Sequence, residues 1–417
     1  MASLSSIAGS DTDIVRERSF QLLFLTNMLP PLGTALMSPV LDSLVDPLGA
    51  TPATVGLMMS AFTAPAVFII PVTGFLADRY GRRPVILFGL LWFGATGTAI
   101  AFVGEFRVAL ALRFCQGIGF AALTPIIITS LGDLYSGTKE ATAQGLRFTG
   151  SGVAQTVFPL AAGVLVGVGW QYPFLLYAIA FPIALVVYRW FEEPVHATDE
   201  AESEVAVLEQ LTDLWAVVSH RRAWTIVVAR GSGTLVWLGF LTYNSIVVVD
   251  VLGRTPAAAG LLAAVASTSY ALAATQAGRL TARFERRLYP LVTTNVAMAV
   301  GLTTVFLAGS LAVATVGVVV MGVGFGITLS LYRSIVTDVA PPAYRGGLVS
   351  IGEGSGRAAA TVTPIAMGGA IAVAAPRLGF VPAVRAVGAT TAVVGVAVGV
   401  VCLFLMSAAP PIRVDGA

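Results

Sequence analysis

Gly74-Phe75-Leu76-Ala77-Asp78-Arg79-Tyr80-Gly81-Arg82-Arg83-Pro84 is the stretch on which the fold turns. It lies between two long apolar runs, Pro52 to Leu76 and Val85 to Val103, each long enough to cross a bilayer. Three arginines and one aspartate are thus confined to one short turn. Gly74 and Gly81 allow the backbone to bend at its two ends. Arg79, Arg82 and Arg83 hold the turn at a membrane surface, the cytoplasmic one by the positive-inside rule. Asp78 is not needed for that. A lone acid among arginines at a helix end suggests a partner on another helix.

Composition places the rest of the chain in the same setting. Of 417 residues, 56% are hydrophobic and only 11% charged, which excludes an ordinary soluble domain. Glycine, at 44 residues, is as abundant as close-packed membrane helices require. A net charge of +2 without a basic, aromatic-rich tract gives no nucleic-acid partner. Cys115 and Cys402 fall inside apolar runs, so neither a disulfide framework nor a metal site is expected. No phosphate-cradling glycine loop is present, and His196 and His220 lie outside the apolar runs. The expectation is a protein that is not an enzyme, with no catalytic residues and no cofactor.

Apolar runs of about 20 residues give about twelve spans. They are expected at Phe20–Leu44, Pro52–Ala77, Pro84–Val103, Arg107–Leu134, Ala141–Val168, Tyr172–Phe191, Ala223–Val251, Pro256–Thr281, Leu288–Gly309, Leu311–Ala340, Gly346–Ala374 and Phe380–Ser407. The first 19 residues are polar, without a cleavage-type signal, and read as a cytoplasmic tail. Residues 20–191 form one six-helix bundle, 192–222 an acidic cytoplasmic linker, 223–407 a second bundle and 408–417 a C-terminal tail. The linker carries Glu192, Glu193, Asp199, Glu200, Glu202, Glu204, Glu209 and Asp213, then an amphipathic piece from Val205 to Val218. Arginine-bearing turns alternate with nearly neutral ones, which puts both termini in the cytoplasm.

The two bundles are copies. Val45-Asp46, Leu48-Gly49, Thr51-Pro52-Ala53 and Gly56-Leu57 recur as Val249-Asp250, Leu252-Gly253, Thr255-Pro256-Ala257 and Gly260-Leu261, a constant shift of 204 residues. The same shift carries Gly74, Arg79, Arg82 and Arg83 onto Gly278, Arg283, Arg286 and Arg287. One residue later in register, Gly117, Gly119, Phe120 and Asp133 map onto Gly322, Gly324, Phe325 and Asp338, and Pro159 and Gly163 onto Pro364 and Gly368. Asp78 becomes Ala282 and Gly81 becomes Glu285, so the two turns are not equivalent. A parallel repeat of this kind places a substrate site near the bilayer midplane.

The turn resembles the signature loop between helices 2 and 3 of the major facilitator superfamily of transporters, through Gly74, Ala77, Asp78, Arg79, Gly81, Arg82 and Arg83. The resemblance implies an all-α membrane protein of twelve helices in two pseudo-symmetric six-helix bundles. It implies that the acid of the turn latches one conformation by docking at the start of helix 11, near Gly346 and Gly347, where a helix N-terminus favours negative charge. Leu112-Arg113-Phe114-Cys115-Gln116-Gly117-Ile118-Gly119 is similar to the superfamily's helix 4 signature. Gly152, Gln155, Pro159 and Gly163 resemble its helix 5 antiporter signature, with Ala154, Phe158 and Ala162 where glycine is preferred. Among the branches, the 12-helix drug:proton antiporters match best.

Embedded polar residues are the candidates for a substrate or proton pathway. Arg113 and Gln116 share a face of the fourth span. Arg147, Ser151 and Gln155 form a polar line on the fifth, as Glu353, Arg357 and Thr361 do on the eleventh. Arg230 and Arg333 lie nearer the cytoplasmic ends, where a long side chain can snorkel. Asp133 and Asp338 close the fourth and tenth spans and suit the arginine turns as partners. Asn27 is neutral and Asp42 sits at the far end of the first span, which leaves Glu353 as the acid deep enough to carry a proton.

The reading is a monomeric plasma-membrane carrier that moves a small solute across the lipid bilayer by alternating access, coupled to protons and directed to efflux. Arg113, Arg147 and Arg357 outnumber Glu353, so a carrier of small organic anions or sugars is the alternative. A non-transporting sensor or scaffold would have no need of Asp78.

Overall fold

The computed structural model describes residues 12–193, 219–277, 279–280, 284, 288–339 and 345–409. Among these, every regular element is helical, the form in which a lipid-facing backbone satisfies its own polar groups. The main helices are α1 (Arg18–Asn27), α2 (Leu29–Ala35), α3 (Leu57–Tyr80), α4 (Arg82–Ala99), α5 (Phe106–Leu134), α6 (Gly137–Val166) and α7 (Ala180–Trp190). Then follow α8 (Arg221–Ile246), α9 (Pro256–Ala274), α10 (Leu288–Leu307), α11 (Leu311–Val339), α12 (Arg345–Leu378) and α13 (Phe380–Ser407). The acidic stretch from Asp199 to Asp213, the amphipathic piece Val205–Val218 and, Phe284 apart, the second arginine turn from Arg283 to Arg287 lie outside the described residues.

Ten of the described helical segments are long and apolar enough to cross a membrane, or eleven when α3, bent by 54° between Ile70 and Val72, is taken as one span. The remaining expected span, Phe20–Leu44, is not one helix. It breaks into α1 and α2, then runs through turns to a 3-10 turn at Asp42–Leu44. Pro30 and Pro31 cause the break: at the first positions of α2 they start a helix readily, but they cannot donate to the hydrogen-bond ladder of a preceding one.

By contacts the chain forms two compact units, one of Met1–His196 with Leu241–Ala264 and one of Ala197–Phe240 with Val265–Ala417. The C-terminal end of α8 and the N-terminal half of α9 therefore count with the first. Within each unit the duplication appears as the same glycine contacts. A Cβ on Gly117 would meet the Phe62 carbonyl oxygen at 2.2 Å, and one on Gly322 the Ala266 carbonyl oxygen at 2.5 Å. Gly119 likewise touches Phe93 and Gly89 of α4, as Gly324 touches Met298 and Thr294 of α10. Gly49 and Gly253, another repeat pair, turn the chain with φ of 65° and 62°, a conformation that costs glycine little.

The two kinds of glycine can be separated by experiment. Gly117→Val must force α5 off the α3 backbone and is expected to destabilise the detergent-solubilised protein by about 1–3 kcal/mol or more. Gly145→Ala, inside α6 with nothing within 4 Å of its Cβ, is expected to be neutral or stabilising by about 0.5–1 kcal/mol. Thermal unfolding followed by circular dichroism compares them directly.

Candidate functional site

Gly81 ends α3 and opens α4 with φ +95°. The first free N–H groups of α4 find a carboxylate: Glu193 accepts hydrogen bonds from the backbone of Arg82 and, at 2.9 Å, of Arg83. A negative group at a helix N-terminus is stabilised by the unpaired N–H groups and the helix dipole. A side chain on Gly81 would strike that carboxylate, its Cβ lying 2.9 Å from the Glu193 oxygen. Arg82 is buried and bridges two acids, Asp78 at 2.9 Å and Asp133 at 3.0 Å. Asp78 keeps 68% of its side chain exposed while making that contact. Arg83 lies over the Tyr188 ring at 5.2 Å and donates to the Tyr188 carbonyl. Arg79 is exposed beside Tyr80, and a Cβ on Gly74 would have open space, with nothing within 4 Å. Glu193, expected in the linker, is thus part of the turn, a role that no local pattern announces 110 residues away.

Arg113 is fully buried. Its guanidinium donates to the Gly33 carbonyl at 2.7 Å, the Met58 carbonyl at 3.2 Å, Gln116 Oε1 at 2.6 Å and the Tyr177 hydroxyl at 3.2 Å. The Phe62 ring covers it at 4.4 Å. The Arg113–Gln116 pair therefore holds the broken first segment, through Gly33 on α2, against α3 and α5. Arg147, also buried, meets Gln144 at 2.9 Å and Asn27 Oδ1 at 3.3 Å. Asn27, the last residue of α1, donates in turn to the Arg147 carbonyl at 3.0 Å and Ser151 Oγ at 2.8 Å. Neutral Asn27 is where the two helices are joined. Gln155 lies one turn beyond Ser151 along α6, half-buried.

In the second unit Glu353 on α12 meets Arg230 on α8. Arg230 Nη2 lies 3.2 and 3.4 Å from the two carboxylate oxygens, and Nη1 donates to Thr234 Oγ1 at 2.9 Å. Arg357, half-buried one turn along α12, also acts on Glu353 electrostatically. Arg230 does not snorkel out of the protein, as its position in the sequence allows. It is buried, and Ser355 Oγ donates to the Val227 carbonyl at 2.7 Å beside it. The side chains of Arg333 and Asp338 lie outside the described residues. Among the described residues no group of three or more His, Cys, Asp or Glu could hold a metal ion.

The sequence matches the profile of the Major Facilitator Superfamily twice, over residues 23–253 and 231–416. The chain belongs to the Major Facilitator Superfamily. It is 32% identical over 150 residues to the bacillibactin exporter of Bacillus subtilis (strain 168), covering 34% of this chain and 37% of that protein. It is 26% identical over 216 residues to the multidrug transporter MdfA of Yersinia pestis bv. Antiqua (strain Angola), covering 52% of each. The matched part thus spans about half or less of these relatives. Among solved structures, a bacterial homolog of the human lysosomal transporter Spinster, inward-facing and occupied, superposes with a TM-score of 0.79 at 17% identity, over 98% of this chain and 100% of that one. A D-xylose-proton symporter gives 0.75 at 13% identity, over 94% and 98%. At such identities these structures share the fold.

In this superfamily member the helix 5 signature is a packing surface. A Cβ on Gly163 would lie 2.7 Å from the Pro256 carbonyl oxygen, and one on Gly260 2.3 Å from the Pro159 carbonyl oxygen. Both contacts fall within the first unit and join α6 to the start of α9. Nearby, Asn244 donates to Ser38 Oγ at 3.1 Å, and the Asp42 backbone N–H to Ser245 Oγ at 3.1 Å. Asp42, at the far end of the broken first segment, lies close to Asp250 and Asp46.

Proposed function

We propose that the protein is a secondary transporter that exports small drug-like or metabolite molecules by alternating access, in exchange for protons. Family membership supports transport, and the names of the two relatives, an exporter and a multidrug transporter, support efflux. The observation that carries proton coupling is the embedded Glu353 carboxylate, paired across helices with Arg230. A carboxylate whose partner sits on another helix can be ionised in one state and protonated in another. Arg113 and Arg147 are engaged with protein groups, which lowers support for an organic-anion carrier. In this reading both termini face the cytoplasm of a plasma-membrane protein. The turn Gly74–Arg83 with Asp133 acts as a latch through its exposed Asp78.

Glu353→Gln is expected to abolish proton-driven accumulation in proteoliposomes while sparing solute exchange. Unchanged accumulation would falsify the coupling role. Asp78→Asn is expected to fold and insert normally, yet to transport at less than about a tenth of the wild-type rate, because loss of a contact worth about 1.4 kcal/mol shifts a two-state equilibrium tenfold. Counterflow of labelled ethidium, with protein yield as the control, tests this; full transport would reduce Asp78 to a topology marker.

A further inference from the structure

We infer that Arg230 is the group that competes with the proton for Glu353, and so sets the pH at which Glu353 is loaded and unloaded. This rests on Glu353 as the proton carrier.

Two arginines act on that carboxylate, and they differ in mechanical position. Arg357 shares α12 with Glu353, so any movement of α12 carries both together and leaves their separation nearly constant. Arg230 sits on α8, and its pair with Glu353 is made or broken whenever the two helices shift. Its guanidinium is also held from its own helix. Thr234, one turn on, accepts from Nη1 at 2.9 Å, and Nη2 then reaches both carboxylate oxygens. Small residues let the helices come this close: a Cβ on Gly356 would lie 3.1 Å from Arg230 Nη1, and one on Gly231 3.3 Å from the Ser355 carbonyl oxygen. The Ser355–Val227 hydrogen bond fixes the register two residues beyond Glu353. The half of α8 that carries Arg230 is otherwise held by apolar packing, with Ala223, Ile226, Val227 and Ala229 in one cluster with Leu331, Leu348 and Leu403.

The exchange balances simply. A proton adds to one Glu353 oxygen, the carboxylate loses its charge, and Arg230 keeps its own protons and its charge. What remains between α8 and α12 at this level is at best a hydrogen bond from the Arg230 cation to the neutral acid, without the attraction of opposite charges. Among the described residues, titratable groups around the pair include Arg357 on α12, Tyr332 on α11, which feels the Arg230 charge, and Cys402 on α13 beside Tyr332. Neither Tyr332 nor Cys402 brings a competing charge near neutral pH.

The test needs no substrate. Infrared spectra of the purified full-length protein, taken across pH, resolve the carboxylic-acid stretch of Glu353 as the band missing from Glu353→Gln. In Arg230→Gln the midpoint of that band is expected to move up by about one pH unit or more, a tenfold tighter hold on the proton, because the competing cation is gone. Arg230→Lys, which keeps a charge without the fork, is expected to return most of the shift. Arg357→Gln is expected to move it less. An unchanged midpoint in Arg230→Gln, a larger shift in Arg357→Gln, or a band that never appears on acidification would overturn the assignment. Failure of the transport reading looks different: Glu353→Gln would still accumulate solute against a proton gradient, whatever the midpoints do.

Discussion

A polar group inside hydrocarbon must find its partner within the protein, and most of what is unusual in this chain follows from that requirement. Its first membrane segment cannot run as one helix, because Pro30 and Pro31 interrupt the ladder. Arg113 donates to the Gly33 carbonyl on α2, and Gln116, Tyr177 and Met58 accept the rest of its fork. At the end of α1, Asn27 donates to the Arg147 carbonyl and Ser151 Oγ. These contacts require backbones to pass closely. Gly33, whose Cβ would fall 2.0 Å from the Phe62 ring, shows how little room remains.

The same rule shapes the charged turn. Arginines at the end of a span need either water or acids. Arg79 is exposed, and Arg82 is buried between Asp78 and Asp133. Glu193 completes the arrangement by meeting the N-terminus of α4, which ties the end of the sixth expected span to the turn between the second and third. The turn is thus both a joint of the first unit and the carrier of an acid that keeps most of its side chain exposed. The proposed latch would act through a contact made by that acid in one state and not in the other.

In the second unit the same need for partners gathers around Glu353. One carboxylate answers to a cation on its own helix and to one on α8. The first shares the helix of Glu353, and the second lies on a neighbouring one. In the proposed mechanism, coupling between proton occupancy and helix packing arises from that asymmetry.

The membrane class, the duplication and the charged turn were legible in the residue order because each is written locally. Length of an apolar run, spacing of glycines and clustering of arginine survive without knowledge of any neighbour. The glycine pairs Gly117–Gly322 and Gly119–Gly324, found as a repeat, prove to be equivalent helix contacts. The break in the first span was less legible: its prolines were visible, but a continuous apolar run outweighed them. Which polar side chains meet was not legible at all. Glu193 with Arg82, Arg230 with Glu353 and Asn27 with Arg147 are separated in sequence by 111, 123 and 120 residues, too far for any local pattern to pair them. Their meeting depends on how each helix is rotated and how far it slides against its neighbour. A rotation of one residue, about 100° around an α-helix, would remove any of these contacts without changing hydropathy. That orientation is set by the packed glycine surfaces acting together, and only the tertiary structure decides it.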